Sequence, residues 1–333
     1  MKKIMILTII LAILCAGFSM TLYASSTKIP INVGTGTPGS LWYQIGAGIA
    51  TVLQSHFPNA IITPQGVGAS NLGIMRIHEG TLTTCVLESV LANIAWTGEG
   101  EQKYFGGKKF EELRFLFGGP VCAAGFVAME KSGIKTVYDL KGKRLGYNTA
   151  TVKPYAIATL SSHGIDYKKD ISCLRQINQS DAVEALKNNE LDAYNFTIYP
   201  SSAPILELAA RDKIVFIPLD PAKVENFNKL LPLNKAQLIP LDKIYPEFTD
   251  KPILACTISA MVATSSRYSE EFIYKIAKII FENKEELEKI STAAGEVNLD
   301  STLNVIKMGL NVFPLHPGLV KYFKEKGIEI PSQ

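Results

Sequence analysis

Residues 31–43 read Ile31-Asn-Val-Gly-Thr-Gly-Thr-Pro-Gly-Ser-Leu-Trp-Tyr43, and the fold class turns on this stretch. A short β-type run, Ile31 to Val33, breaks into a turn of Gly, Thr, Pro and Ser. A helix follows near Tyr43–His56, with Ile45, Ile49, Val52, Leu53 and Phe57 marking one face. A turn of this kind leaves backbone N–H groups without intrahelical partners at the positive end of the helix, which suits it to hold an anion.

Working outward, the same strand, turn and helix recur. Ala60–Pro64 reads as a strand. Gly66-Val-Gly-Ala-Ser70 opens a helix to about His78, with Ser70 as N-cap and Gly80 as stop; Leu82–Leu87 is a strand before a helix at Ser89–Trp96. Past an uncharged passage from Phe115 to Met129 a second series begins. Its strands are Arg144–Tyr147, Ser172–Ile177, Leu191–Phe196 and Ile214–Pro218, with helices over Thr149–His163 and after Ser180. Residues 219–251 read as an irregular excursion. Ile253–Thr264 is a second uncharged apolar run, and Ser269 caps an amphipathic helix through Ile273, Ile276, Ile280 and Phe281. Strands alternating with helices predict parallel α/β sheets. The two apolar runs bracketing a middle segment predict two chain crossings. The expected architecture is two α/β lobes joined by a two-strand hinge, lobe 1 from residues 27–119 and 259–333 and lobe 2 from 120–258, with a ligand cleft between.

The first 26 residues have the form of a secretory signal. Lys2 and Lys3 precede an uncharged apolar core and a small-residue exit, with cleavage expected near residues 24–26. The core is shorter than the about 20 apolar residues of a membrane anchor. The 34 basic side chains less Lys2 and Lys3 leave 32 against 31 acidic ones, and no basic block with interleaved aromatics occurs, so nucleic acid is not an expected partner. Cys85, Cys122, Cys173 and Cys256 lie far apart, with no Cys-x-x-Cys and no nearby His pair, so no metal site is expected. Export permits disulfides, and Cys122 and Cys256 sit on the two crossing runs; the reading preferred for all four is buried thiols.

Gly34-Thr-Gly36-Thr-Pro-Gly39 matches G-x-G-x-x-G between a strand and a helix, so a dinucleotide site has to be tested. The acidic residue that binds a ribose about 20 residues on is missing: the next strand ends Thr63-Pro-Gln65. No cofactor is expected. Three uncharged loops at strand ends, Thr35–Tyr43, Gly66–Asn71 and Tyr147–Thr151, are the better candidate, because ligands of open α/β sheets bind there. The candidate ligand-binding residues are Thr35, Gly36, Thr37, Gly39, Ser70 and Asn71 for the anionic group. Trp42, Tyr43, Tyr147 and Tyr199 are candidate walls, and Glu88, Ser89, Asn148, Thr149 and Thr151 complete the edges. Glu88 has two readings, partner of a ligand ammonium or helix N-cap. No H-E-x-x-H or G-x-S-x-G motif occurs, and no catalytic residue is expected.

Several segments resemble the TAXI-type solute receptors of tripartite ATP-independent periplasmic (TRAP) transporters. They are Gly34–Gly46, Gly68-Ala-Ser-Asn-Leu72, Ser89–Gly100, Ile134–Gly142, Leu191-Asp-Ala-Tyr194 and Pro314-Leu-His-Pro-Gly-Leu-Val-Lys-Tyr-Phe-Lys-Glu-Lys-Gly327. The resemblance implies a periplasmic-binding-protein-like (type II) fold. It further implies a periplasmic receptor that captures glutamate, another amino acid or a related carboxylate for a TRAP permease. At Glu88-Ser89-Val90 and Asn148-Thr-Ala-Thr-Val152 the chain departs from the pattern of these receptors, which leaves the ligand open. An exported enzyme using the same cleft and a sensory binding protein are the alternatives.

Overall fold

The computed structural model describes residues 28–331 apart from 39, 99–104, 149–151, 200–201, 211 and 232–233. The expected signal and its cleavage near residues 24–26 lie outside the described residues, as do Gly39, Thr149 and Thr151.

The first third of the chain alternates as its periodicity predicts. β1 (Ile29–Thr35) leads to α1 (Leu41–His56), β2 (Ala60–Gly66) to α2 (Ser70–Glu79), and β3 (Thr84–Glu88) to α3 (Ser89–Thr97). β4 (Leu113–Met129) follows, then β5 (Arg144–Tyr147) and α4 (Lys153–Ser162), β6 (Cys173–Gln176) and α5 (Gln179–Lys187), and β7 (Ala193–Tyr199) and α6 (Ala203–Ala209). β8 (Ile214–Ile217), α7 (Val224–Leu230), β9 (Ala236–Ile239) and β10 (Ile253–Ser265) complete the strands. The C-terminal part is helical: α8 (Glu270–Glu282), α9 (Lys284–Ile290), α10 (Thr292–Gly295), α11 (Leu299–Lys307) and α12 (Pro317–Glu325).

The described strands form one ten-stranded sheet in the order β2-β1-β3-β10-β4-β7-β5-β6, with β8 added to β4 and β9 to β10. β1, β2 and β3 are parallel, as are β5, β6 and β7, whereas β10 runs antiparallel to β3, β4 and β9. The two apolar runs are neighbouring strands, paired from Leu113 opposite Ser265 to Ala124 opposite Cys256. Their register shifts between Ser259 and Met261 and again between Val262 and Ala263, where irregular pairing bends a strand. β4 and β10 are buried along nearly their whole length, which is why both read as uncharged runs without alternation. One apolar cluster fills the first half of the molecule and extends to Tyr147, Tyr155 and Phe227; two smaller ones cover opposite faces of the second half of the sheet. The architecture is a mixed α/β fold of the two-lobed periplasmic-binding-protein type.

Three local expectations are corrected. Residues 219–251 hold α7, β9 and two short 3-10 turns rather than an irregular excursion. The cap of α2 is Ala69, which offers no side-chain bond, and Ser70 is already helical. α5 is capped by Asn178, whose Oδ1 accepts the Asp181 N–H at 2.9 Å, and not by Ser180. Ser269 does cap α8, and Gly80 ends α2 at φ +81°. Cys85, Cys122, Cys173 and Cys256 are unpaired, and the first, second and fourth are buried. Among the described residues no group of three His, Cys, Asp or Glu is placed to hold a metal ion, and no helix is long and apolar enough to cross a membrane.

Candidate functional site

Among the described residues, six turns from a strand into a helix reach one cavity of about 640 Å³. The β1–α1 turn contributes Thr35 to Pro38 and Ser40 to Trp42, joined by Gln44 one helical turn on. The β2–α2 turn contributes Val67 to Ser70, and β3 contributes Val86 and Glu88. From the other half come Asn148 and Val152 before α4, Asn178 to Ser180 at the start of α5, and Ser202 to Pro204 at the start of α6, with Thr197 on β7.

Close packing positions the β1–α1 turn. A Cβ on Gly36 would lie 2.5 Å from Ser40 Oγ and 2.7 Å from Trp42 Cβ, so only glycine lets the strand end pass the helix start so closely. Ser40 caps α1, its Oγ accepting the Tyr43 N–H at 3.1 Å. The Ser70 Oγ accepts the Glu88 N–H at 3.1 Å and so ties the start of α2 to the end of β3. On the far side Asn178 Nδ2 donates to Asp181 Oδ2 at 2.6 Å, and the Ser202 N–H donates to the Tyr245 hydroxyl at 2.9 Å.

The electrostatics come from backbone rather than from side chains. Among the described lining residues Glu88 carries the sole formal charge, and none is basic. The helices whose starts reach the cavity, α1, α2, α4 and α6, have no acidic residue in the first turn; α5 has Asp181, already bonded to its own cap. Of the helices pointing elsewhere, α7 carries Glu225, α8 Glu270 and Glu271, α9 Glu285 and Glu286, and α11 Asp300, whereas α10 and α12 carry none. Acids at a helix start offset its positive end, so α1, α2, α4 and α6 leave that end uncompensated where they face the cavity. Two further polar groups have no hydrogen-bond partner among the described residues: the buried Trp42 Nε1–H, and the side-chain amide of Asn195, two residues from Thr197 on β7 and 1 % exposed.

Of the residues expected from the sequence, Thr35, Gly36, Thr37 and Trp42 line the cavity, as do Ser70, Glu88 and Asn148. Tyr43, Asn71, Ser89 and Tyr147 do not. Ser89 is buried and its hydroxyl accepts from Asn234 Nδ2 at 2.9 Å. Tyr147 packs into the core below Lys153, and burial raises the pKa of its phenol. Tyr199 pairs with Ala123 on β4. Sequence reasoning missed the starts of α5 and α6. Asn178-Gln-Ser180 and Ser202-Ala-Pro204 both follow strands, so the rule that picked the first three loops would have found them.

The comparisons with known structures concern the fold. The putative sulfonate ABC transporter, periplasmic sulfonate-binding protein SsuA from Methylobacillus flagellatus KT, is 13% identical with a TM-score of 0.51, over 91% of this chain and 96% of that one. The periplasmic aliphatic sulphonate binding protein SsuA from Escherichia coli is 13% identical with a TM-score of 0.47, over 90% and 88%. The alkanesulfonate-binding protein SsuA from Xanthomonas axonopodis pv. citri, solved with MOPS, is 14% identical with a TM-score of 0.47, over 91% and 94%. The resemblance to TAXI receptors of TRAP transporters is corrected: the family whose model matches is another, and the Methylobacillus flagellatus protein is described as part of an ABC transporter. Three of the segments that carried that resemblance serve the fold. Thr136 and Asp139 form a capping box, Asp192 accepts two hydrogen bonds from the Arg144 side chain, and His316 Nδ1 accepts the Gly318 N–H at 3.1 Å. A model of the NMT1-like family matches residues 33–327, and the chain belongs to that family.

Proposed function

We propose that this chain is an extracytoplasmic receptor for a small solute bearing a carboxylate or sulfonate group. In this reading it hands the solute to the permease of an ATP-driven uptake transporter and performs no chemistry of its own. The single observation behind the reading is the ring of helix starts around the cavity, with a first-turn acid on α5 alone and no basic side chain among the described lining residues. Backbone amides at several positive helix ends hold an anion without a buried cation. The cavity volume lies within the range of small-molecule sites. Sulfonate binding by the receptors named above agrees with an oxyanion, and their names favour a periplasmic location and an ABC-type permease.

Lobe 1 would comprise residues 27–119 and 259–333 and lobe 2 residues 120–258, hinged on β4 and β10. The anionic group would sit at Thr35–Ser40 and Ser70, with Trp42 as a wall. The Asn178–Ser180 and Ser202–Pro204 turns would close from the other lobe. A solute contacting both lobes favours the closed population by its differential affinity for it.

The test is a thermal-shift screen of purified protein against small carboxylates and sulfonates, with Trp42 fluorescence as a second readout. A ligand at about a hundred times its Kd stabilises by about 2.7 kcal/mol, a clear shift in Tm. Absence of any shift across the panel at millimolar concentration would refute the reading.

A further inference from the structure

We propose that Asn234 is a clasp across the hinge: its side-chain amide holds the two halves of the molecule in the arrangement described above, and its loss frees them to bend. The inference rests on the hinge at β4 and β10 in the reading above, and concerns how the halves are held rather than what they bind.

The topology locates the crossing. On one edge β10 pairs with β3 as far as Ala260 opposite Glu88, and it takes up β9 at Cys256 opposite Ala236. Thr257, Ile258 and Ser259 lie between these two partners, with β4 along the other edge. β4 in turn gains β7 only from Ala123 onward. The register shift between Ser259 and Met261 falls at the same place, and irregular pairing there lets the strand bend. Bending of one half on the other is therefore concentrated near residues 257–261 of β10.

Asn234 fills the gap between β3 and β9. It is 1 % exposed, and its Nδ2 donates to the Ser89 hydroxyl oxygen and to the Thr257 carbonyl oxygen, each at 2.9 Å, which uses both amide protons. Ser89 is itself buried and opens α3 directly after β3, so it moves with the first half. Asn234 moves with the second. The carbonyl of its neighbour Lys235 accepts both the N–H and the hydroxyl of Thr257, at 3.1 and 2.7 Å, and the N–H of Ala236, the first residue of β9, donates to Asn228 Oδ1 on α7. A bend of β10 between Thr257 and Ala260 changes the separation of Asn234 from Ser89 and leaves the bonds to Thr257 in place. A buried hydrogen bond made in one arrangement alone biases the equilibrium toward it by its net worth.

Double electron–electron resonance reads the bend directly, with spin labels on Cys173, the partly exposed thiol of β6, and on a Ser55→Cys substitution at the exposed end of α1. Asn234→Ala and Ser89→Ala should each lower the ratio of the wild-type separation to other separations by about two- to twelvefold, the range for one net hydrogen bond. The double variant should shift it no further than Asn234→Ala alone. Thr257→Val removes the hydroxyl bond to Lys235 on one side of the crossing, and should lower the urea midpoint without moving the distances. Two wild-type separations whose ratio neither Asn234→Ala nor Ser89→Ala changes would overturn the clasp and leave the hinge standing. One separation unmoved in every variant would overturn both. Equal movement in Thr257→Val would overturn the clasp, since any loosening of the segment would then suffice. Ser89→Ala decides the matter alone if Asn234→Ala does not fold.

Discussion

Replacing Ser40 by Asp separates the stability of the helix start from its affinity for an anion. The Ser40 hydroxyl accepts the Tyr43 N–H at 3.1 Å, and an Asp at an N-cap accepts the same bond equally well. The residue is half-buried and borders the cavity, and Gly36 beside it has no Cβ to obstruct the larger side chain. A negative charge at the start of α1, which has no first-turn acid, should leave stability unchanged or raise it by about 0.3–1 kcal/mol. Binding should move the other way. The new carboxylate competes for the same amides and sits about 5 Å from a bound oxyanion; at an effective dielectric constant of about 20 to 40 the repulsion is about 1.7–3.3 kcal/mol. That corresponds to about a 15- to 200-fold loss of affinity. Urea denaturation reads the first quantity and calorimetric titration the second. A Ser40→Asp protein that binds its solute as tightly as wild type would refute the placement of the anion at this helix start.

Three other outcomes follow from the packing and the titratable groups. Gly318→Ala should lower the urea midpoint by the equivalent of about 1–3 kcal/mol, because the new Cβ would lie 2.5 Å from the Glu270 carbonyl oxygen and the Tyr274 nitrogen, both backbone atoms of α8; an unchanged midpoint would contradict this close approach. His163 and His316 are held neutral: Nε2 of His163 accepts the Asp220 N–H, Nδ1 of His316 accepts the Gly318 N–H, and burial lowers both pKa values. Since the unfolded rings protonate near 6.5, their contribution is full above that pH and is lost as pH falls toward the lower folded values; urea midpoints should decline between pH 7 and 5, before the carboxylates titrate. Among the four thiols of the described chain, Cys173 alone is partly exposed, whereas burial pushes Cys85 and Cys122 up to about 12 and Cys256 higher still. A thiol reagent should therefore label Cys173 first in the native protein, and equal labelling of all four would contradict their burial.

The fold was legible wherever a short local pattern decides it. The strand, glycine turn and helix at residues 31–43 read correctly because an apolar run, a cap and a 3.6-residue period all lie within a dozen residues. The pairing of β4 with β10 was not legible as such. Two uncharged runs far apart in sequence say that both are buried, but not that they are neighbours. Residues 219–251 hid β9 and α7 because elements of four and seven residues show too few periods to stand out among their prolines. The site was half legible. Gly-rich turns advertise a close backbone approach, which picked out Thr35 to Thr37 and Ser70. The starts of α5 and α6 follow strands as the others do but hold no glycine to draw attention to them, and topology brings them to the same cavity. Tyr147 illustrates the converse error, since an aromatic at a strand end packs inward as readily as it walls a cleft. The family was misjudged from motif residues whose work is structural, such as Asp192 beside Arg144 and His316 at the start of α12.

The central claim is that helix starts from both halves of the sheet together hold one oxyanion. Amide NMR on 15N-labelled protein titrated with taurine and ethanesulfonate measures it most directly. The account predicts saturable shifts concentrated on the backbone amides that open α1, α2 and α5, at Trp42, Asn71 and Ser180, with the rest of each helix little changed. Saturable shifts confined to one half of the sheet, or lying away from these helix starts, would contradict it.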